Sequence, residues 1–138
     1  MTILDSNVVS ALMNDPPEEK VVAWLDGQAR NSIWTTSITV FEIRSGLEIM
    51  AAGKRQTRLS ELFERILDRF QQRIAVFDTE AARLAASLTA LRRNNGRTGE
   101  LRDTMIAGIV LANRASLATR NVAHFADISA TVVNPWSA

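Results

Sequence analysis

The chain has 138 residues, 46% hydrophobic and 22% charged, with 16 Lys and Arg against 15 Asp and Glu, a balance that predicts one soluble domain over residues 1–138 and selects no partner by net charge. Cysteine is absent, which removes disulfides and thiolate metal sites and fits a reducing cytoplasm; His124 is the only histidine, which removes zinc centres built on several imidazoles. No apolar run approaches the roughly 18 residues that span a bilayer, and no basic stretch followed by an apolar one marks a secretory signal.

In chain order, short β-type runs alternate with longer helical ones, the pattern of an α/β domain with a parallel sheet. Thr2 to Leu4 reads as a buried strand ending at Asp5, followed by a short helix from Val8 to Met13 that stops near Pro16 and Pro17. "EEKVVAWLDG" predicts a helix with Val21, Trp24 and Leu25 on one face and Gly27 as its stop. "SIWTT" predicts a second strand, and "TVFEIRSGLEIMAA" a helix ending around Gly53. "RLSELFERILDRFQQR" places Leu59, Leu62, Phe63, Ile66, Leu67 and Phe70 at helical spacing, either as a core face or as apolar surface left for a partner. "IAVF" is a third strand, and Asp78 caps a helix carrying Leu84, Leu88 and Leu91. Gly96 and Gly99 mark a loop before "DTMIAGIVLANR", which is apolar almost all round and reads as a buried helix. "SLAT" and "TVVN" are the last strand candidates.

Three acids stand at element junctions: Asp5 after the first strand, Glu42 near the start of a helix, and Asp103 opening the buried helix. Each has a structural explanation. Asp5 and Asp103 can cap the helices they precede, and "TVFE" fits a capping box with Thr39 as the cap and Glu42 reaching back to it. Yet in an open parallel sheet such junctions gather along one edge, where ligands bind. Carboxylates about 5 Å apart at an effective dielectric near 20 repel by roughly 3 kcal/mol per pair. Three such pairs rival the stability of a small domain, about 5–15 kcal/mol. If the acids converge, a divalent cation relieves the repulsion, and an all-oxygen donor set suits Mg²⁺ or Mn²⁺. That arrangement serves phosphodiester hydrolysis. Clusters at Lys54, Arg55 and Arg58 and at Arg92, Arg93 and Arg97, followed by Arg102, Arg114 and Arg120, either track phosphates or form solvated helix surface.

The residues also carry a resemblance. "LDSNVVSALM", "TTSITVFEIRSGLEIMAAGKR", "RDTMIAGIVLANRASLATRNVAHF" and "NPW" resemble, in order and spacing, the sequence blocks of PIN-domain proteins, from residue 2 to residue 136. The chain is similar to the VapC toxins of the FitB-like subgroup. The resemblance implies a three-layer α/β/α fold around a central, mostly parallel sheet. It implies a Mg²⁺-dependent endoribonuclease, with Mn²⁺ as the alternative ion, acting as the toxin of a type II toxin–antitoxin pair. A VapB-like antitoxin, an RNA substrate with transfer RNA as the family-level expectation, and a homodimer come with it.

By position, Asp5, Glu42 and Asp103 match the catalytic acids, with Asp5 and Asp103 as the metal ligands. Ser6, Asn7, Thr39 and Asn121 are expected behind them or against substrate, and Arg102 and Arg120 against RNA. Many relatives carry a fourth acid where Asn121 stands, and some an aspartate where His124 stands, so a second metal ion is in question. Trp136 is expected to anchor packing. A non-catalytic module binding RNA or protein is the second reading. A phosphatase built on Asp5 is disfavoured, because Asn7 replaces the second aspartate of a D-x-D motif.

Overall fold

The computed structural model describes all residues from Met1 to Ala138. Strand β1 (Thr2–Leu4) leads through α1 (Ser6–Leu12) and α2 (Glu19–Asp26) to β2 (Ile33–Thr36). Helices α3 (Ser37–Ile49) and α4 (Lys54–Phe70) follow, then β3 (Ile74–Ala75). The second half is α5 (Thr79–Asn94), α6 (Leu101–Ala112), β4 (Ser116–Ala118), a 3-10 turn over Val122–Phe125, and β5 (Val132–Val133). The sheet order is β3-β2-β1-β4-β5, and every neighbouring pair is parallel. The expected three layers are present, with a wholly parallel sheet.

Successive side chains of a strand point to opposite faces, so each central strand feeds two cores. Ile3 and Leu117 enter the layer with α5 and α6, around Leu88, Ile106, Ile109 and Phe125. Leu4 and Ala118 enter the layer of α1 to α4, around Val8, Val21, Phe63, Ile66 and Phe70. Burial on both faces is why the first strand reads as an unbroken apolar run. Helices α5 and α6 approach closely because Gly108 has no side chain; a Cβ there would lie 2.4 Å from the Ala81 carbonyl oxygen and 2.9 Å from Ala85 Cβ.

Several expectations change. The apolar stripe of α4 is mainly core: Phe63, Ile66 and Phe70 are buried, and Leu59, Leu62 and Leu67 pack against them while staying partly accessible. Helix α4 starts at Lys54, earlier than the periodicity alone marks, and α3 stops at Ile49. Strand β3 shortens to two residues: it is the sheet edge, pairing only through Ile74 and Ala75, while Val76 is exposed. Leu91, named with Leu84 and Leu88 on this helix, is half exposed, and its neighbour Arg92 is buried. Asp78 does cap α5, accepting from the Ala81 N–H at 2.9 Å.

Candidate active site

The strand order places β1 beside β4, where the chain reverses its direction across the sheet. Crevices at the carboxyl ends of strands form at such a switch point. Leu4 pairs with Ala118, so the next residues, Asp5 and Thr119, stand side by side at that crevice. The Thr119 hydroxyl donates to Asp5 Oδ2 at 2.7 Å. Asp5 Oδ1 accepts from the Ser6 N–H at 2.8 Å and thereby caps α1. Asn7 Nδ2 lies 3.3 Å from both Asp5 Oδ2 and Thr119 Oγ1, and Asn7 Oδ1 accepts from the Arg120 N–H at 3.1 Å. Asn7 therefore stitches the turn after β1 to the turn after β4.

Glu42 does not form the capping box. The cap of α3 is Thr36, whose hydroxyl accepts from the Thr39 N–H at 3.0 Å. Strand β2 runs directly into the helix, so α3 starts before Thr39, and Glu42 lies too far along it to reach the first N–H groups. Its Oε1 instead accepts from the Ser6 hydroxyl at 3.0 Å, and that hydroxyl also lies 3.0 Å from Thr39 Oγ1. Thr39, fully buried, thus belongs to a hydroxyl relay joining α3 to the residue after Asp5. Asp103 does not cap α6 either: Glu100 holds the cap position, without a side-chain bond, and Asp103 lies within the first turn. Asp103 Oδ2 lies 3.0 Å from Nδ1 of His124, whose ring is more than half exposed.

Asp5 feels the charge of Asp103, and Glu42 that of Asp5. Burial pushes the Asp5 carboxyl above its ordinary value, and the charge of Asp103 adds to the rise. The Thr119 and Ser6 hydrogen bonds and the charge of His124 oppose it. Burial also raises Glu42; the Ser6 hydroxyl and Arg102 oppose that rise, while Asp5 adds to it. The repulsion expected from the sequence is thus partly met by protein groups. Arg102 Nη1 stands 3.7 Å from Glu42 Oε2 and its Nε 3.3 Å from Glu100 Oε1, and His124 faces Asp103. A cation is one way to complete the balance, not the only source of it.

The donor set is all oxygen with one imidazole, and no three of its Asp, Glu and His side chains form a group that could hold a metal ion together. That does not fit a closed protein cage. It does fit Mg²⁺, which takes one or two carboxylates and keeps several waters.

Arg102 is therefore part of the acidic rim through its ion pairs. Arg120 is exposed, with its guanidinium 4.8 Å from the centre of the Trp136 ring. Trp136 packs against the α1–α4 core, as an anchor. Asn121 is exposed and its N–H donates to Thr119 Oγ1 at 3.1 Å. One site residue, Thr119, escapes sequence reasoning, and two are visible in it without their roles. Thr119 carries no signal beyond its place after a strand; His124 stands out only as the sole histidine and as a position where some relatives carry an aspartate, and Arg92 only as one of an arginine cluster. Beside Asp103 and His124 a cleft of 190 Å³ opens, lined entirely by polar residues and glycine, Arg97 and Thr98 among them.

The PIN domain family profile matches residues 2–130. The plasmid stability protein StbB of Pseudomonas syringae pv. tomato is 38% identical over 139 residues, covering 100% of both chains. The VapC ribonuclease Y4jK of Sinorhizobium fredii is 35% identical over 137 residues, covering 99% of this chain and 98% of that one. Toxin FitB of Neisseria gonorrhoeae is 34% identical over 137 residues and covers 99% of each. The crystal structure of FitAcB from the same organism superposes with a TM-score of 0.91 at 33% identity over 100% of both chains. An all-parallel sheet, a switch point carrying Asp5 and a match over nearly the whole length agree: this chain belongs to the PIN-domain family, among its VapC and FitB members.

Proposed function

We propose that the chain is a Mg²⁺-dependent endoribonuclease, with Mn²⁺ as the alternative ion, that acts in the cytoplasm as the toxin of a toxin–antitoxin pair. The observation that supports the reading is Asp5 at the switch point between β1 and β4, with the charge of Asp103 acting on it and its own charge acting on Glu42. Relatives named as a VapC ribonuclease and as toxin FitB support the substrate class and the biological role. Asp5 and Asp103 would hold the ion, which supplies charge neutralisation at the phosphate and a more acidic water. Asp5 is kept in place by the Ser6 N–H and the Thr119 hydroxyl. Glu42, its carboxyl raised by burial and held by the Ser6 hydroxyl, would orient a water and accept its proton. Arg102 holds Glu42 and offers positive charge to the RNA backbone.

The partners of this reading are RNA, with transfer RNA as the family-level candidate, a VapB-like antitoxin and a second copy of the chain. The test is cleavage of RNA in Mg²⁺ by the parent, Asp5→Asn and Asp103→Asn. We expect both variants to lose at least about 100-fold in rate, the scale of losing one group positioned to stabilise the transition state, while RNA binding weakens less. Equal cutting by all three proteins would remove the assignment.

One observation favours a second reading, a non-catalytic PIN module that binds RNA or protein: the acids and His124 do not converge into a preformed metal cage. Under that reading the parent binds RNA and never cuts it, with or without the ion.

A further inference from the structure

Arg92 lies near the carboxyl end of α5, where an arginine normally points to water. Here it is only 4% exposed. Burying a guanidinium is costly unless it is paired and hydrogen-bonded. Its Nε donates to Asp127 Oδ2 and its Nη2 to Asp127 Oδ1, both at 2.9 Å, a bidentate pair. Nη2 also donates to the His124 carbonyl oxygen at 2.9 Å, and Nη1 to Thr104 Oγ1 at 3.0 Å. The Thr104 hydroxyl passes a further bond to the Glu100 carbonyl at 3.0 Å, at the cap of α6.

Two of these contacts bear on the acidic rim. Thr104 follows Asp103 in the first turn of α6, and His124 is the residue whose ring meets Asp103 Oδ2 at 3.0 Å. One guanidinium therefore grips the backbone of the 3-10 turn and the start of α6 together. Stability alone does not require such a device, since apolar residues of similar volume often replace a buried ion pair without loss. Gly99 keeps the space open. A Cβ there would lie 2.5 Å from Arg92 Nη1 and 3.3 Å from Thr104 Oγ1. A flexible arginine would swing away from that contact; this one is held by four bonds, so the clamp itself must shift.

We propose that Arg92 is a positioning residue of the acidic site: through Thr104 and the His124 carbonyl it fixes Asp103 and the His124 imidazole against each other, and Gly99 is the residue that makes room for it. The catalytic consequence rests on the nuclease reading above, but the geometric one does not. A carboxylate only accepts hydrogen bonds, so the Asp103–His124 contact puts the neutral ring's proton on Nδ1.

His124 is the sole histidine, so its ring nitrogens can be followed without ambiguity by nitrogen-15 NMR in the intact chain. The test compares the parent with Arg92→Lys, which keeps the charge but offers one nitrogen in place of the planar fork, and with Gly99→Ala, which lies in an exposed loop. Measured are the tautomer of the neutral ring, the thermal melt, and kcat and KM for RNA cleavage in Mg²⁺. We expect an Nδ1–H tautomer in the parent and a shift towards Nε2–H in both variants. We further expect kcat to fall about 10- to 100-fold, the scale of a small misplacement at a reacting centre, with KM little changed.

A folded variant with the parental ring signal and parental kcat would overturn the proposal. So would a lowered melt with an unchanged ring signal, which would make Arg92 a stability element alone. If Arg92→Lys does not fold, Gly99→Ala decides. If the parent cuts no RNA, the nuclease reading fails, and the tautomer still decides the role of Arg92.

Discussion

Asp5 caps α1 with one carboxylate oxygen and accepts the Thr119 hydroxyl with the other, yet burial and the charge of Asp103 raise its pKa. Asn is as good a helix cap as Asp, so Asp5→Asn keeps the cap and removes the buried charge. For an acid whose folded value lies above its ordinary 3.8, the folded state binds more protons between the two values. The stability this group lends is complete below 3.8 and is lost as pH rises through the raised folded value. In metal-free buffer we therefore expect Asp5→Asn to be more stable than the parent at neutral pH by about 1 kcal/mol. Its stability should also slope less steeply with pH over that window. Urea melts at several pH values check this; a variant weaker than the parent at pH 7 would show that the hydrogen bonds to the ionised carboxylate outweigh its burial. The same residue shows the limit of local reading. Its place after a strand was visible in "TILD", whereas its hydroxyl donor comes from Thr119, across a chain separation no pattern records.

At the scale of elements, the helices were legible where one apolar face ran long enough to show its period, as in α4. They were misread where pairing rather than period decided the face. In α5, the arginine cluster read as either phosphate-tracking or solvated surface, and the structure buries Arg92 where Asp127 compensates the guanidinium, leaving Leu91 half exposed. The same α5 meets α6 over Gly108, which yields a stability prediction. In Gly108→Ala the new methyl meets a backbone carbonyl at 2.4 Å, a group that cannot rotate away. Overpacking costs about 1–3 kcal/mol, against about 1 kcal/mol of helix propensity gained by alanine. We expect a net loss of up to about 2 kcal/mol, read from the denaturation midpoint. An unchanged midpoint would mean that the two helices separate freely.

For the whole molecule, the parallel sheet and its reversal between β1 and β4 bring residues from α1, α3 and α6 to one rim. Ion binding there would be linked to folding, because an unfolded chain does not hold Asp5 and Asp103 together. At an ion concentration of 100 Kd the linkage is worth about 2.7 kcal/mol. We expect Mg²⁺ to raise the Tm of the parent, and to raise that of Asp5→Asn and Asp103→Asn much less. A parent Tm indifferent to Mg²⁺ and Mn²⁺ would favour the non-catalytic reading. This measurement needs no RNA and no antitoxin, so it separates ion binding from cleavage.

The order of strands and helices, the parallel sheet, and the place of Asp5 between the first strand and its helix followed from the sequence, because periodicity, breakers and caps act over a few neighbouring residues. Glu42 and Asp103 lie inside their helices, past the caps expected of them. Tertiary structure alone decided what those acids touch. Glu42 is bound by Ser6 and Arg102 rather than by its own helix, Asp103 by His124, and Arg92 by Asp127 beneath them. Such contacts join residues far apart in the chain, and their energies depend on burial and on partner charges that exist only once the layers have packed.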